Sequence, residues 1–273
     1  MRVRRHHPAG VMPLELWDVL VDHEPLYLVP DAGQATAIAS VVDQLVSGVA
    51  RRHRCPDAPL PRMAIDQVVV AGGGAVDDVV KALGRIVPAI AAADPVWIGE
   101  CGGRFLLQAT GADVATGLTV DVGQTSIKRF WLGQRLRLAR DFQRIPLDMN
   151  ARTPDVRLPA RRATVAFMSS ALVVPTTPTA PTAVVLALPC EIDDQLRVAG
   201  CSYPWDDDDN TLIPEVLTMA GLADVDVSVL VLNDAELAAA GVAASSATWS
   251  GDAATLVLTV GMGLGAAWLP RRS

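Results

Sequence analysis

Residues 118–128 read LTVDVGQTSIK: an apolar strand over 118–122 carrying one aspartate, then a glycine, small hydroxyl residues and a lysine. A strand that ends at Asp121 brings a carboxylate to the edge of a sheet, where it can hold Mg²⁺ directly or through water. Gly123 lets the backbone come close to an anion, and Thr125 and Ser126 add hydroxyl and amide donors. Lys128 can neutralise phosphate. The same residues also describe an Asp-x-Gly turn between two hairpin strands, so phosphate loop and plain turn both stay open on this stretch alone.

Outward from it, Val-, Ile- and Leu-rich runs at 25–29, 66–71, 183–189, 227–232 and 255–260 alternate with helical patterns at 34–52, 76–91, 159–174, 211–221 and 234–246. Such alternation predicts α/β units. The Pro/Thr stretch PTTPTAPT (175–182) suits neither a helix nor a central strand and reads as a connection. A chain of 273 residues is expected to form two lobes. With 51% apolar but only 4% aromatic residues, its core must be aliphatic, as buried parallel strands require.

The net charge of −7 provides no basic footprint for nucleic acid, and the short basic start MRVRR reads as a frayed terminus. No apolar run has the length of a membrane span, and Glu15 and Asp18 interrupt what would be a signal peptide's apolar region. Cys55, Cys101, Cys190 and Cys201 are spread without a C-x-x-C pair, which predicts reduced thiols in a cytoplasmic protein. The four histidines have no cysteine partners in metal spacing. The run of aspartates at 206–209 reads as a solvated loop.

Three further stretches can carry chemistry. In LVLNDAELAAAGVA (230–243) a buried strand runs into Asn233-Asp234 and an Ala-rich helix. Asp234 is either an N-cap or a general base, with Asn233 orienting a substrate. In LVLTVGMGLGAAWL (256–269) two strand-like halves flank Gly261, Gly263 and Gly265, which can offer amides to a phosphate or form a tight hairpin. In VVVAGGGAVDDVVKAL (68–83), Gly72, Gly73 and Gly74 join a strand to an amphipathic helix. They do not make G-x-G-x-x-G, and a turn that accepts a base and ribose fits better.

Together these stretches resemble the sugar-kinase, actin and heat-shock-chaperone ATPase superfamily, and most closely its ROK branch of glucokinase-like sugar kinases. Asp121, Gly123 and Thr125 of DVGQT match that family's first phosphate motif, with Gln124 in place of its usual second glycine. The family's catalytic aspartate falls on Asp234. GMGLG is similar to the second phosphate motif, with Met262 at a position usually threonine, and VVVAGGGA is similar to the adenosine motif. The family's Glu-x-Gly-His sugar motif is not found.

The order differs from the family's, because the adenosine-like glycines precede the first phosphate loop. Moving residues 1–117 to the end restores it. The resemblance therefore implies a two-lobed ribonuclease H-like, actin-like ATPase fold, circularly permuted. One lobe would be residues 117–234 and the other 1–116 with 235–273, closing on a nucleotide cleft. It implies ATP-dependent phosphorylation of a hydroxyl on a small sugar-like molecule, with ATP and Mg²⁺ as cofactors. Asp121 would hold the metal and Asp234 would act as base. Two rival expectations are a nucleotide- or sugar-binding sensor that has lost catalysis, and an acceptor-independent ATPase that drives a partner. The apolar N-terminal third offers a face for a homodimer.

Overall fold

The computed structural model describes residues 1–16, 19–26, 33–55, 57, 59–74, 76–173, 180–200, 202–205, 210–245 and 248–272. The chain is mixed α/β. Its first segment gives β1 (Arg2–Arg5), β2 (Met12–Leu14), the two-residue strands β3 (Leu20–Val21) and β4 (Glu24–Pro25), and α1 (Gln34–Ser47). β5 (Gln67–Ala71), α2 (Val76–Leu83), β6 (Ala89–Ala91) and α3 (Ile98–Ala109) follow. The middle holds β7 (Leu118–Val122), β8 (Ser126–Trp131), β9 (Gln134–Ala139), α4 (Pro154–Leu172), β10 (Ala183–Leu188) and a small ribbon of β11 (Glu191–Ile192) and β12 (Val198–Ala199). The last elements are α5 (Leu212–Met219), β13 (Ser228–Asn233), α6 (Asp234–Ala244), β14 (Thr255–Val260) and β15 (Leu264–Leu269).

Two compact units divide these elements: Met1–His7 with Gly103–Leu237, and Pro8–Gly102 with Ala238–Ser273. The divisions fall inside α3 and α6. In the first unit the sheet runs β1-β13-β10-β7-β8-β9. β7, β8 and β9 form an antiparallel meander, β10 and β13 extend it in parallel to β7, and β1 adds in parallel to β13. In the second unit the sheet runs β2-β15-β14-β5-β6. There β14, β15 and β2 form the antiparallel meander, and β5 and β6 extend it in parallel to β14.

Without β1 the two sheets share one strand order and one set of directions. The helices agree as well. The first unit reads β7, β8, β9, α4, β10, α5, β13, α6. The second gives the same succession only when read from β14 and β15 on to β2, α1, β5, α2, β6 and α3.

Each unit has its own aliphatic core. The first gathers Leu118, Val120, Val184, Leu186, Val229 and Val231 from the parallel strands against α4 and α5. The second gathers Val68, Val70, Leu256 and Leu258 against α1 and α2. Fully buried parallel strands read as continuous apolar runs, which is why these were visible in the sequence. Among the described residues no helix is long and apolar enough to cross a membrane.

Several elements differ from expectation. MRVRR is not a frayed end: Arg2–Arg5 pairs residue for residue with Ser228–Val231. The helix expected over 34–52 stops at Ser47, because Gly48 takes a left-handed conformation and caps it onto the carbonyl of Gln44. The helix expected over 76–91 stops at Leu83, and residues 89–91 become β6. α4 starts at Pro154, five residues before the expected start, and runs through Pro159. Of the strand expected at 25–29, Pro25 pairs with Leu20 in the small β3–β4 ribbon, and residues 27–29 lie outside the described residues. The aspartate run at 206–209 and most of the Pro/Thr stretch lie outside them too.

Candidate functional site

The parallel core of the first unit positions two carboxylates. Ala187 on β10 pairs with Asp121 of β7 on one side and with Leu232 of β13 on the other. Two residues beyond Leu232 the chain turns into α6, and Asp234 is its first residue. Across the meander Asp121 pairs with Lys128, whose Nζ lies 2.8 Å from Asp121 Oδ2, with both side chains largely buried.

Asp234 is half-buried, and its carboxyl is pushed up from 3.8 to about 7. Withdrawal from water is the largest cause, and the charge of Asp121 is the second. Lys128 and the backbone amides of Ala235 and Asp234 pull the other way. At neutral pH this carboxyl is therefore poised to take or release a proton, the condition that suits general base catalysis.

The cap of α6 is not supplied by Asp234. Asn233 caps it, with Oδ1 accepting from the N–H of Ala235 at 2.8 Å. Glu236 Oε2 reaches back to accept from the N–H of Asn233 at 2.9 Å. This reciprocal pair is a capping box. Asn233 Nδ2 also donates to the carbonyl of Cys190 at 2.8 Å, so the side chain expected to orient a substrate is tied at both ends to its own chain.

The turn after β7 is a hairpin, as its plain reading expected, and it has an unusual hydrogen-bond arrangement. The carbonyl of Gly123 accepts from Tyr203 Oη at 2.8 Å, that of Gln124 from Arg140 Nη1 at 3.0 Å, and that of Thr125 from the Arg140 N–H at 2.9 Å. The N–H of Gly123 donates to Ser126 O. Among the described residues the N–H groups of Gln124 and Thr125 have no acceptor. The loop thus turns its carbonyls into the protein and keeps two amide donors in hand, the pattern of an anion-binding nest. Arg140 is buried, donates further to the carbonyls of Ile145, Pro146 and Ser202, and lies 4.0 Å over the Tyr203 ring.

In the second unit the GMGLG stretch forms the equivalent hairpin turn. Val260 pairs with Leu264, and the N–H of Gly261 donates to Gly263 O at 3.0 Å. Gly265 is not in the turn but in β15, paired with Thr259. Met262 at its tip is 45% exposed, so no core contact accounts for it. Of the three glycines after β5, two have packing reasons. A Cβ on Gly72, whose φ is +109°, would stand 2.1 Å from Val260 O, and one on Gly74 would stand 3.0 Å from the same atom. Gly73 alone opens onto space.

A nucleotide with its metal can be tested against these residues. Mg²⁺ is commonly held by one or two carboxylates, with water and phosphate oxygens completing its shell. Among the described residues no group of three or more His, Cys, Asp or Glu side chains is placed to hold a metal ion. Asp121 beside Asp234 fits the sparser pattern, with Lys128 holding the Asp121 charge. The unengaged amides of Gln124 and Thr125 fit a phosphate.

Asp121, Lys128 and Asp234, all expected from the sequence, come together in the first unit, whereas Arg140, Tyr203 and Glu236 carried no expectation. Asn233-x-x-Glu236 is a legible capping signature. Arg140 has no signature, since it acts on main-chain carbonyls whose proximity only the fold creates.

No protein-family model matches the chain, and no curated protein matches it. Among solved structures it is similar to the inorganic polyphosphate/ATP-glucomannokinase from Arthrobacter sp. strain KM. The two share 22% identity over 57% of this chain and 59% of that one, with a TM-score of 0.40. The alignment spans less than two thirds of that protein, and the likeness is too distant to assign a residue's role.

Proposed function

We propose that the chain is an ATP-dependent phosphotransferase that acts on a hydroxyl of a small sugar-like molecule. The observation that carries this reading is the Asp234 carboxyl, held near neutrality beside Asp121 and Lys128. Asp234 takes the proton of the acceptor hydroxyl as that oxygen attacks the terminal phosphorus, while the bond from that phosphorus to the β–γ bridging oxygen breaks and ADP leaves with the electron pair. Lys128 and the amides of Gln124 and Thr125 offset the charge on the phosphate oxygens, in a reaction governed by positioning and electrostatics. Asp121 is the proposed Mg²⁺ ligand, and the metal would supply positive charge there to offset that of the phosphates. Gly123 keeps the loop narrow, and Asn233 fixes the start of α6 so that Asp234 projects from it. In the second unit we assign the adenosine to Gly72, Gly73 and Gly74 and phosphate contacts to Gly261 and Gly263, with Gly265 supporting that turn from β15.

We read the fold as ribonuclease H-like and actin-like, and the chain as a circular permutant. The shared strand order of the two sheets, complete only when the second is read from β14 through to β2, supports this. A second reading is a nucleotide-binding sensor without transfer, favoured by the exposed Met262 at the tip of the second loop.

A thermal-shift screen of MgATP and MgADP against a sugar panel, followed by transfer from γ-labelled ATP, tests the proposal. A ligand that binds only the folded state raises Tm with its occupancy. Kinase function requires a nucleotide shift and label transfer to at least one sugar. Nucleotide binding without transfer to any acceptor establishes the sensor instead, and no nucleotide shift at all contradicts both readings.

A further inference from the structure

Glu236 is fully buried and the proposed mechanism does not use it. Its Oε2 lies 2.6 Å from Arg5 Nη2, on a strand 231 positions away in the sequence. The same carboxylate oxygen accepts the Asn233 N–H that opens α6. Among the described residues its other oxygen, Oε1, has no hydrogen-bond partner, and His7 Nδ1 lies 3.8 Å from it, with His7 Nε2 3.0 Å from Asp194 Oδ1. Arg5 is nearly buried as well, and its Nε donates to the carbonyl of Ile192 in β11. Asn233 Nδ2 bonds two residues upstream of Ile192, at Cys190.

An ion pair at this depth is an expensive way to hold a strand. Two apolar side chains of similar volume often serve as well or better, because both charges must leave water. What an apolar pair cannot do is accept the Asn233 N–H. We infer that β1 belongs to the catalytic apparatus: Arg5 is a positioning residue that orients Glu236, which in turn fixes Asn233 and the projection of Asp234. The inference rests on the phosphotransferase reading for its kinetic consequence, but not for its structural one. Misplacing a catalytic group by about an ångström can lower the rate by about 10²-fold.

The test compares Arg5→Met, Glu236→Gln and the double variant Arg5→Met/Glu236→Leu. Each is assayed for kcat and nucleotide KM per folded molecule, and for hydrogen exchange at the Asn233 and Ala235 amides. The double variant removes both charges and should remain folded, yet its kcat should fall by about 10²-fold with nucleotide KM nearly unchanged, and both amides should exchange faster. Arg5→Met alone should move in the same direction. Glu236→Gln still offers an acceptor oxygen to the Asn233 N–H and should lose less kcat and less amide protection than the double variant. If the double variant is stable, keeps its kcat and protects both amides, Arg5 and Glu236 are only structural and the inference is overturned. If amide protection falls but kcat holds, it is overturned equally. Should the parent protein transfer no phosphate, the proposed function fails, and the hold of Arg5 and Glu236 on Asn233 is decided by the exchange data alone.

Discussion

A carboxyl that ionises near neutral pH ties rate and stability to pH with opposite signs, and Asp234 does both. Its folded-state value of about 7 lies above the ordinary 3.8, so the folded chain holds this proton more tightly than the unfolded chain. Its contribution to stability therefore declines as pH rises from about 4 to about 7 and stays low above that. Asp234→Asn should match the parent protein in urea denaturation below about pH 4. At pH 8 it should exceed the parent by about 1–4 kcal/mol in metal-free buffer. Equal stability at both pH values would remove the case for a strained carboxyl.

On the proposed mechanism activity should run the other way, rising as Asp234 loses its proton. Lys128 lowers the Asp234 value. Lys128→Met should therefore shift the rising limb of kcat/KM to higher pH, and an unmoved limb would show that Lys128 does not face the base. At this scale the sequence was informative where a carboxylate ends a buried strand, as at Asp121 and Asp234. It was silent where a side chain serves main-chain carbonyls, as Arg140 does for Gln124.

Among the elements, the buried strands were legible and the edges were not. β10 and β13 carry unbroken apolar runs, and β7 and β14 are apolar but for threonines and Asp121. β9 carries QRLRLA, a short arginine–leucine alternation with almost every residue exposed, so no apolar run marks it. It exists because Leu132 and Gly133 both take positive φ and close a tight hairpin with β8. β1 was hidden in the same way, its arginines resembling a solvated tail until β13 supplied a pairing edge. The glycines separate packing from binding. Gly72→Ala, forced against Val260 O at a positive φ, should cost about 2–4 kcal/mol in chemical denaturation. Gly73→Ala meets nothing and should leave the denaturation midpoint unchanged. A loss of MgADP affinity in Gly73→Ala would then report a ligand contact, whereas a stability loss equal to that of Gly72→Ala would contradict the geometry.

For the molecule as a whole, the informative fact is that two sheets of one topology lie in one chain with the second begun in mid-order. Length led to the expectation of two lobes, composition to an aliphatic core and motif order to a permutation, but only strand pairing reveals that β2 completes the β14–β15 meander. If the chain is a permutant, a rearranged gene that starts at Gly117 and joins residue 273 to residue 1 through a long flexible linker should fold cooperatively. It should also keep its nucleotide-dependent Tm shift. Failure of that protein to fold would count against the permutation.

The central claim is that Asp234 is the base of a phosphoryl transfer, and single-turnover transfer from MgATP by Asp234→Asn tests it most directly. General base loss typically costs about 10²–10⁴-fold. A fall of that size in the transfer rate is expected, with MgADP affinity retained because the contacts proposed for the nucleotide lie on other residues. Transfer at the parent rate by Asp234→Asn would contradict it.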